Sequence, residues 1–491
     1  MLADPKKNRE EEVNAGIHGR QDWQDQFSAM GATPKKCGAE RLGTRIASKS
    51  LQDDGSEAMV DMKELARLVG ELNDQLAVCM RCGMCQAVCP LYAETGLESD
   101  VARGKLALLA GLSELMFTEP KGVQDRLMRC LLCGSCAANC PSGVKVVDVF
   151  LKARAILTGY MGLGPVKKVL FRGLLAHPRF FDRLLESSVV VQSLFLQPAD
   201  DLQGAYCARF SRPLMERHVK RLAQLPFHRT VNALNTATGG SGIKVGVFVG
   251  CLIDKVFPDV AKAVVRSLEH HGVGIALPDG QGCCGMPAIA AGDRRTFNEL
   301  VRYNLKKFAV QHFDYLVTGC ASCTATIKKV WPMMAQGLTR DEEVLLHAIA
   351  EKTIDISQFL ADELKATEKV PARTGENHVL TYHDPCHLKK SLGISAQPRR
   401  IIGLNPAYRF VEMAEADRCC GCGGSFNLEH YGISASIGRR KRDHIVQSGC
   451  TTVATSCPAC MLQISDMLSR SGDRVEVKHV IEVYAESLNR R

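Results

Sequence analysis

Long apolar runs are missing from this 491-residue chain. The longest, "VVVQSLFL" (Val189–Leu196), is far short of the roughly 20 residues that cross a bilayer, so no membrane-spanning helix is expected. Aromatic residues are scarce, at 6% with 2 Trp, which argues against stacking on exposed bases and so against a nucleic-acid partner. No G-x-G-x-x-G follows a strand pattern. "GGSG" at Gly239 precedes a strand instead, and no P-loop is present. Neither flavin nor NAD is therefore expected on this chain. The first residues, "MLADPKKNREEE", lack an apolar stretch, so no export signal is expected and the reading is cytoplasmic.

Cysteine is abundant, at 22 residues. Hydrophobic content of 46% and charged content of 23% are ordinary, and a chain this long needs no disulfide framework. In a reducing compartment such thiols stay free or bind metal. Cys37, Cys207 and Cys450 stand alone and read as small hydrophobes. The others are clustered. The net charge of +9 is also local: residues 151–230 hold 13 Lys plus Arg against 5 Asp plus Glu. Such a segment suits an acidic protein partner or an anionic membrane surface.

Five segments are expected. Residues 1–59 read as a polar, disordered arm. Residues 60–160 hold the tight cysteine clusters, entered by a helix with Leu65, Leu68, Leu72 and Leu76 on one face. Between the clusters, Ser99 or Asp100 caps a helix whose apolar face is Leu106, Leu109 and Leu112. Residues 161–242 are basic and broken by prolines, so short helices are expected, ending in a flexible joint, "NTATGGSG". Residues 243–370 and 371–491 form an internal repeat. Its cysteines Cys251, Cys283, Cys284, Cys320 and Cys323 return as Cys386, Cys419, Cys420, Cys457 and Cys460, at offsets of 135 to 137 residues. β-like runs end at cysteines in both copies, so each reads as a small α/β layer with ligands at strand ends. The fold class expected is α+β and multidomain.

"CMRCGMCQAVCP" and "CLLCGSCAANCP" share the spacing C-x2-C-x2-C-x3-C-P, the bacterial ferredoxin run. Three closely spaced thiolates wrap one corner of a cubane, and the fourth crosses to the other cluster. Crossed ligation gives one [4Fe–4S] cluster on Cys79, Cys82, Cys85 and Cys140, and a second on Cys130, Cys133, Cys136 and Cys89. Pro90 and Pro141 turn the chain away, and Gly83 and Gly134 let backbone approach the sulfide. Structural zinc is the competing reading, but zinc needs only two CxxC pairs and leaves a thiol over in each loop. "ARGK" (Ala102–Lys105) either sets positive charge beside a cluster or simply starts a solvated helix.

The pattern C-x31-CCG-x35-CxxC resembles the cysteine-rich CCG domain of heterodisulfide reductase, of the glycolate oxidase iron–sulfur subunit, and of related lactate- and glycerol-3-phosphate-oxidising complexes. The order of parts over residues 60–491 is similar to the glycolate oxidase subunit and to the heterodisulfide reductase subunit of like layout. The resemblance implies a site on each five-cysteine set, holding one or two further clusters of non-cubane [4Fe–4S] type. Free thiols or zinc remain open for either repeat. Cys422 is an extra thiol, read as an alternate ligand or a bystander. His383 and His387 flank Cys386; they donate to cluster sulfur or, as loop histidines, to backbone. The resemblance further implies an electron-transfer subunit of a glycolate or D-lactate dehydrogenase. It would be fed by a separate flavin-binding subunit and would discharge towards a quinone or cytochrome at the inner face of the plasma membrane. It would not be catalytic without that flavoprotein. The alternative is a catalytic disulfide reductase working at a CCG-bound cluster; a redox sensor is a third reading.

Overall fold

The computed structural model describes residues 55–117, 119–209, 216–231, 233–366 and 378–488. Of the polar arm expected over residues 1–59, the first 54 lie outside the described residues, as does Cys37. Helix α1 (Gly55–Gly70) begins before the expected boundary at 60 and ends at a glycine, a poor helix former. A separate short helix, Asn73–Ala77, follows. The single helix expected here is therefore two, and the buried stripe is Leu65, Val69, Leu72 and Leu76, with Leu68 only half-buried. Helix α2 (Ala102–Ser113) buries Leu106, Leu109 and Leu112 as the spacing predicts. Its cap differs: a 3-10 turn over Glu98–Asp100 precedes it, and Val101 stands at the N-cap with no side-chain bond. Helix α3 (Val146–Met161) leaves the second cluster loop and is buried along Val149, Phe150, Ala153 and Leu157.

The basic segment is helical mainly in its first half, with one further turn at Phe227–Thr230. Pro165–Leu175 and α4 (Pro178–Phe195) are helices opened by proline at the first turn, where its missing N–H is no loss. Beyond them a three-stranded antiparallel sheet forms, β1 (Leu196–Asp200), β2 (Ala205–Ala208) and β3 (Val219–Lys220), in order β1-β2-β3. The helical linker expected over 161–242 is corrected accordingly. Its end is also not a free joint. Strand β4 (Leu234–Asn235) pairs antiparallel with the next sheet, and the Thr236 and Gly239 amides donate to Ile275 and Gly272 carbonyls.

The two repeats have one topology. In the first, β5 (Lys244–Phe248), β6 (Gly274–Leu277), β7 (Tyr315–Thr318) and β8 (Thr353–Asp355) lie parallel in the order β6-β5-β7-β8, with β4 on the β6 edge. In the second, β9 (His378–His383), β10 (Tyr408–Phe410), β11 (Thr452–Thr455) and β12 (Glu476–His479) lie parallel in the order β10-β9-β11-β12. The central strands are buried almost end to end, as parallel strands covered by helices on both faces must be. Helices α5 (Pro258–His270) and α6 (Arg294–Phe308) cover the first sheet; α7 (Tyr431–Gln447), α8 (Pro458–Ser471) and α9 (Val480–Leu488) cover the second. The repeats are joined directly. α5 packs on α9, the His271 Nε2 lies 2.6 Å from the Tyr484 hydroxyl, and the Ala321 amide donates to the Ser456 carbonyl at 3.0 Å.

Candidate metal centres

Each ferredoxin-type loop is built the same way. Arg81 and Gly83 in one, and Leu132 and Gly134 in the other, have positive φ (55°, 86°, 54° and 73°). Glycine adopts this freely; arginine and leucine do so under strain that the surrounding packing must hold. The twist turns a backbone amide towards sulfur, the Leu132 N–H lying 3.4 Å from Cys130 Sγ, and past the first loop the Tyr92 N–H lies 3.5 Å from Cys89 Sγ at a helix start. Pro90 begins a helix capped by Cys89.

The loops enclose two small cavities of about 30 Å³ each. Cys79, Cys82, Cys85 and Cys140 line one, and Cys89, Cys130 and Cys133 line the other; Cys136 reaches both. These are the two groups expected for crossed ligation, brought together in space. Burial pushes the Cys89 thiol up to about 11 and raises Cys136 as well. Thiols so placed ionise only when a cation takes the charge, which suits iron. The "ARGK" cations are not idle solvent groups. Arg103 donates to the Arg81 carbonyl inside the first loop at 3.2 Å and pairs with Glu98. Lys105 is buried and donates to the Asp100 carbonyl.

In the repeats, Cys251 and Cys386 follow the first strands β5 and β9, the CCG pairs follow β6 and β10, and the CxxC pairs follow β7 and β11. All ten thiols thus sit beyond the carboxyl ends of parallel strands. The first and third strands of each sheet are neighbours there, and their connections leave in different directions, which opens a crevice. Cys251 Sγ is 3.7 Å from Cys283 Sγ, and Cys420 Sγ is 3.5 Å from Cys460 Sγ. The two sets do not face separate pockets. Both line a single, largely apolar cavity of about 190 Å³ between the repeats. Ser322 of the first repeat reaches across it, 3.6 Å from Cys457 Sγ and 3.0 Å from His387 Nδ1.

Two features of this cavity were not legible in the repeat pattern. Cys422, whose two readings the spacing left open, is on the cavity wall, its thiol pushed up by burial. Cys133 of the second ferredoxin loop also reaches it. Beside Cys133, the Lys390 Nζ donates to Ser135 Oγ at 2.6 Å; burial opposes its charge, but the thiolates of Cys386, Cys133 and Cys419 more than offset this. His383 lies beside the cavity, grouped within 4.8 Å with the Cys420 and Cys460 thiols. It ends strand β9 rather than lying in a loop, and is wholly buried. Its Nδ1 is 3.1 Å from the Ala416 carbonyl oxygen, the backbone partner that was expected.

Arg154 had no signal in the sequence beyond one charge in an apolar helical run. It is buried in α3, and its guanidinium donates to the carbonyls of Leu127 (2.6 Å), Cys130 (2.6 Å) and Ala290 (2.7 Å). It thereby ties the second ferredoxin loop to the first repeat. The solitary cysteines stay apart. Cys207 lies in β2 beside Gln197, and the buried Cys450 thiol donates to the Ile445 carbonyl.

Comparison with known proteins agrees with this division. Residues 75–144 match the 4Fe-4S dicluster domain family, and residues 245–328 and 380–465 each match the cysteine-rich CCG domain family. The chain is 30% identical over 419 residues to a subunit of the fumarate reductase (CoM/CoB) of Methanothermobacter marburgensis, covering 83% of this chain and 72% of that one. It is 27% identical over 450 residues to a probable glycolate oxidase iron-sulfur subunit of Bacillus subtilis, covering 87% and 99%. It is also 27% identical over 436 residues to a subunit of the dihydromethanophenazine:CoB--CoM heterodisulfide reductase of Methanosarcina barkeri, covering 84% and 94%.

Proposed function

Because this chain belongs to the family of iron–sulfur oxidoreductase subunits that join a 4Fe-4S dicluster domain to two CCG domains, we propose that it relays electrons from a flavin-binding partner that oxidises glycolate or D-lactate towards a quinone or cytochrome. The observation that carries this reading is the series of thiol cages. The first ferredoxin cavity shares Cys136 with the second, and the second shares Cys133 with the cavity between the repeats. Iron–sulfur clusters, when bound, accept and release one electron at a time. Cys79, Cys82, Cys85 and Cys140 would hold the first, and Cys89, Cys130, Cys133 and Cys136 the second. The five-cysteine sets would hold one or two more. The protein supplies close spacing, burial and the cations Arg103, Lys105 and Lys390 beside the thiolates.

The purified chain alone is expected to show no glycolate oxidation, and to support reduction of an artificial quinone once a flavin-binding partner is added. Glycolate turnover by this chain in the absence of any flavoprotein contradicts the relay.

One observation favours a second reading. A shared apolar cavity faced by both cysteine sets has room for a sulfur-containing substrate, as a disulfide reductase requires. Reduction of a mixed disulfide by the chain, with a viologen dye as donor, would promote that reading.

The relay's docking surface is α4 and the helix before it. Phe180, Leu184, Val191 and Leu194 recur on one solvent-facing stripe of α4, and Val166, Val169 and Leu170 are exposed beside them. Both acids of α4 are turned inward: Asp182 pairs with Lys255 at 2.8 Å, and Glu186 with Arg229 at 2.7 Å. The outward face is left apolar, with Lys168, Arg179 and Arg183 at its edges. A straight apolar stripe edged by cations and free of acids fits a flat anionic lipid surface.

A further inference from the structure

The repeats coincide in topology and in five cysteines, so the positions at which they differ around the thiols are informative. Three residues before the first cysteine, the first repeat has Phe248 and the second has His383. Both close the central strand of their sheet, and both are fully buried. Phe248 packs its ring on Phe308, with centroids 6.1 Å apart. His383 has two nitrogens to satisfy where Phe248 has none.

Nδ1 faces the Ala416 carbonyl, which can only accept, so Nδ1 carries the proton. In the neutral ring Nε2 then presents a lone pair. That nitrogen is buried and has no hydrogen-bond partner. Buried polar atoms are rarely left so. Sulfur is at hand: a ring nitrogen of His383 and the thiols of Cys420 and Cys460 all lie within 4.8 Å of one another. A fixed tautomer, with one nitrogen held by a backbone carbonyl and the other left unpartnered in a residue packed beside two thiols, is the arrangement of a metal-ligating histidine.

We propose that His383 Nε2 is a nitrogen ligand of the iron–sulfur centre in the second repeat, which makes the two CCG centres chemically different. The bond is dative, from the Nε2 lone pair to iron, with no change in oxidation state and no proton released. The first repeat, with Phe248 in the equivalent place, offers thiolate alone. Where the imidazole takes an iron site that a thiolate fills in the first repeat, the lower ligand charge raises the reduction potential of the centre. Lys441 adds to the contrast: it is buried against the second repeat, donating to the Ala416 carbonyl at 3.3 Å. The second centre is thus the electron sink of the pair, and it is the one whose thiols adjoin Cys133.

This inference rests on the iron–sulfur reading of the CCG domains, and the test separates the two. The full chain is prepared anaerobically, reconstituted with ferrous iron and sulfide, and analysed for iron before pulsed EPR. Wild type is expected to show a ¹⁴N coupling of directly bound imidazole on a CCG-centre signal. His383→Cys supplies a thiolate in its place; it is expected to retain iron, lose the coupling and titrate at a lower potential. His383→Phe, which copies the first repeat, is expected to lose the coupling too. Repeats that take up no iron defeat the underlying reading. Iron-loaded repeats with no such coupling, or with the coupling unchanged in both variants, overturn the ligand assignment alone.

Discussion

Arg154 shows how much one side chain can carry. It is a single buried cation on α3, and its planar fork meets backbone carbonyls from two parts of the molecule. Arg154→Met leaves those carbonyls buried without a donor, and is expected to lower unfolding free energy by about 3 kcal/mol or more in a urea titration. Arg154→Lys keeps the charge but loses the fork, so its loss is expected to be smaller. Equal stability of the methionine variant and wild type would sink this account of the domain contact. The cysteines were legible because their spacing is itself the chemistry: a loop that wraps a cluster has few ways to be written. Arg154 was not, because its partners are carbonyls contributed from 27 and 136 residues away, and a carbonyl leaves no mark on sequence. Nor did spacing show that Cys422 faces the cavity, since a third thiol near a CCG pair has no fixed geometry.

At the scale of elements, α4 is held by a balanced ion cluster. His228 places Nδ1 2.9 Å from Asp254 and Nε2 2.9 Å from Glu186. Carboxylates only accept, so both ring nitrogens donate and the doubly protonated ring is favoured. The hydrogen bond to Asp254 raises the His228 pKa, against the opposing effect of burial. Lys255, Arg229 and protonated His228 then face Asp182, Asp254 and Glu186, three charges of each sign. A folded pKa above the unfolded one means that this stabilisation is complete below the unfolded value, near 6.5, and is lost as pH rises through the folded value. His228→Gln is expected to destabilise the chain by about 1–2 kcal/mol at pH ~6, with the gap to wild type narrowing as the pH rises. A gap that widens with pH contradicts the assignment. The helices of this region could be read from its prolines and apolar spacing. Its small sheet could not: β1 contains Pro198, β3 has two residues, and such strands exist through tertiary pairing rather than local preference. The same holds for β4, whose edge position made a pinned strand resemble a flexible joint.

Among the described residues, α4 gives the molecule an apolar, cation-edged face. Val190 is 79% exposed and Leu194 63%, and they belong with Phe180, Leu184 and Val191 to a continuous exposed apolar patch on α4, the kind that marks an interaction site. In sedimentation with vesicles, the full chain is expected to bind phosphatidylcholine doped with phosphatidylglycerol, and to leave phosphatidylcholine alone in solution. Each cation removed by Arg179→Ser or Arg183→Ser is expected to weaken partitioning roughly fivefold. Val190→Glu with Leu194→Glu, both at exposed positions, should abolish binding without unfolding the chain. Loss of a co-purifying protein in that double variant, with no vesicle binding by wild type, would assign the face to a protein partner instead. At this scale the repeat was the most legible feature, because register in five cysteines over 135 to 137 residues implies two copies of one fold. That the copies share a cavity was not, because nothing in a repeat states which faces meet.

The central claim is that iron–sulfur clusters fill these thiol cages and pass electrons from one cage to the next. It is tested most directly by EPR-monitored reductive titration of the anaerobically purified chain, with iron and acid-labile sulfide measured on the same sample. The account predicts iron and sulfide in equal amounts, paired cubane signals that interact magnetically, and further signals lost when CCG cysteines are replaced. Zinc-loaded, colourless protein with no dithionite-dependent signal would contradict it.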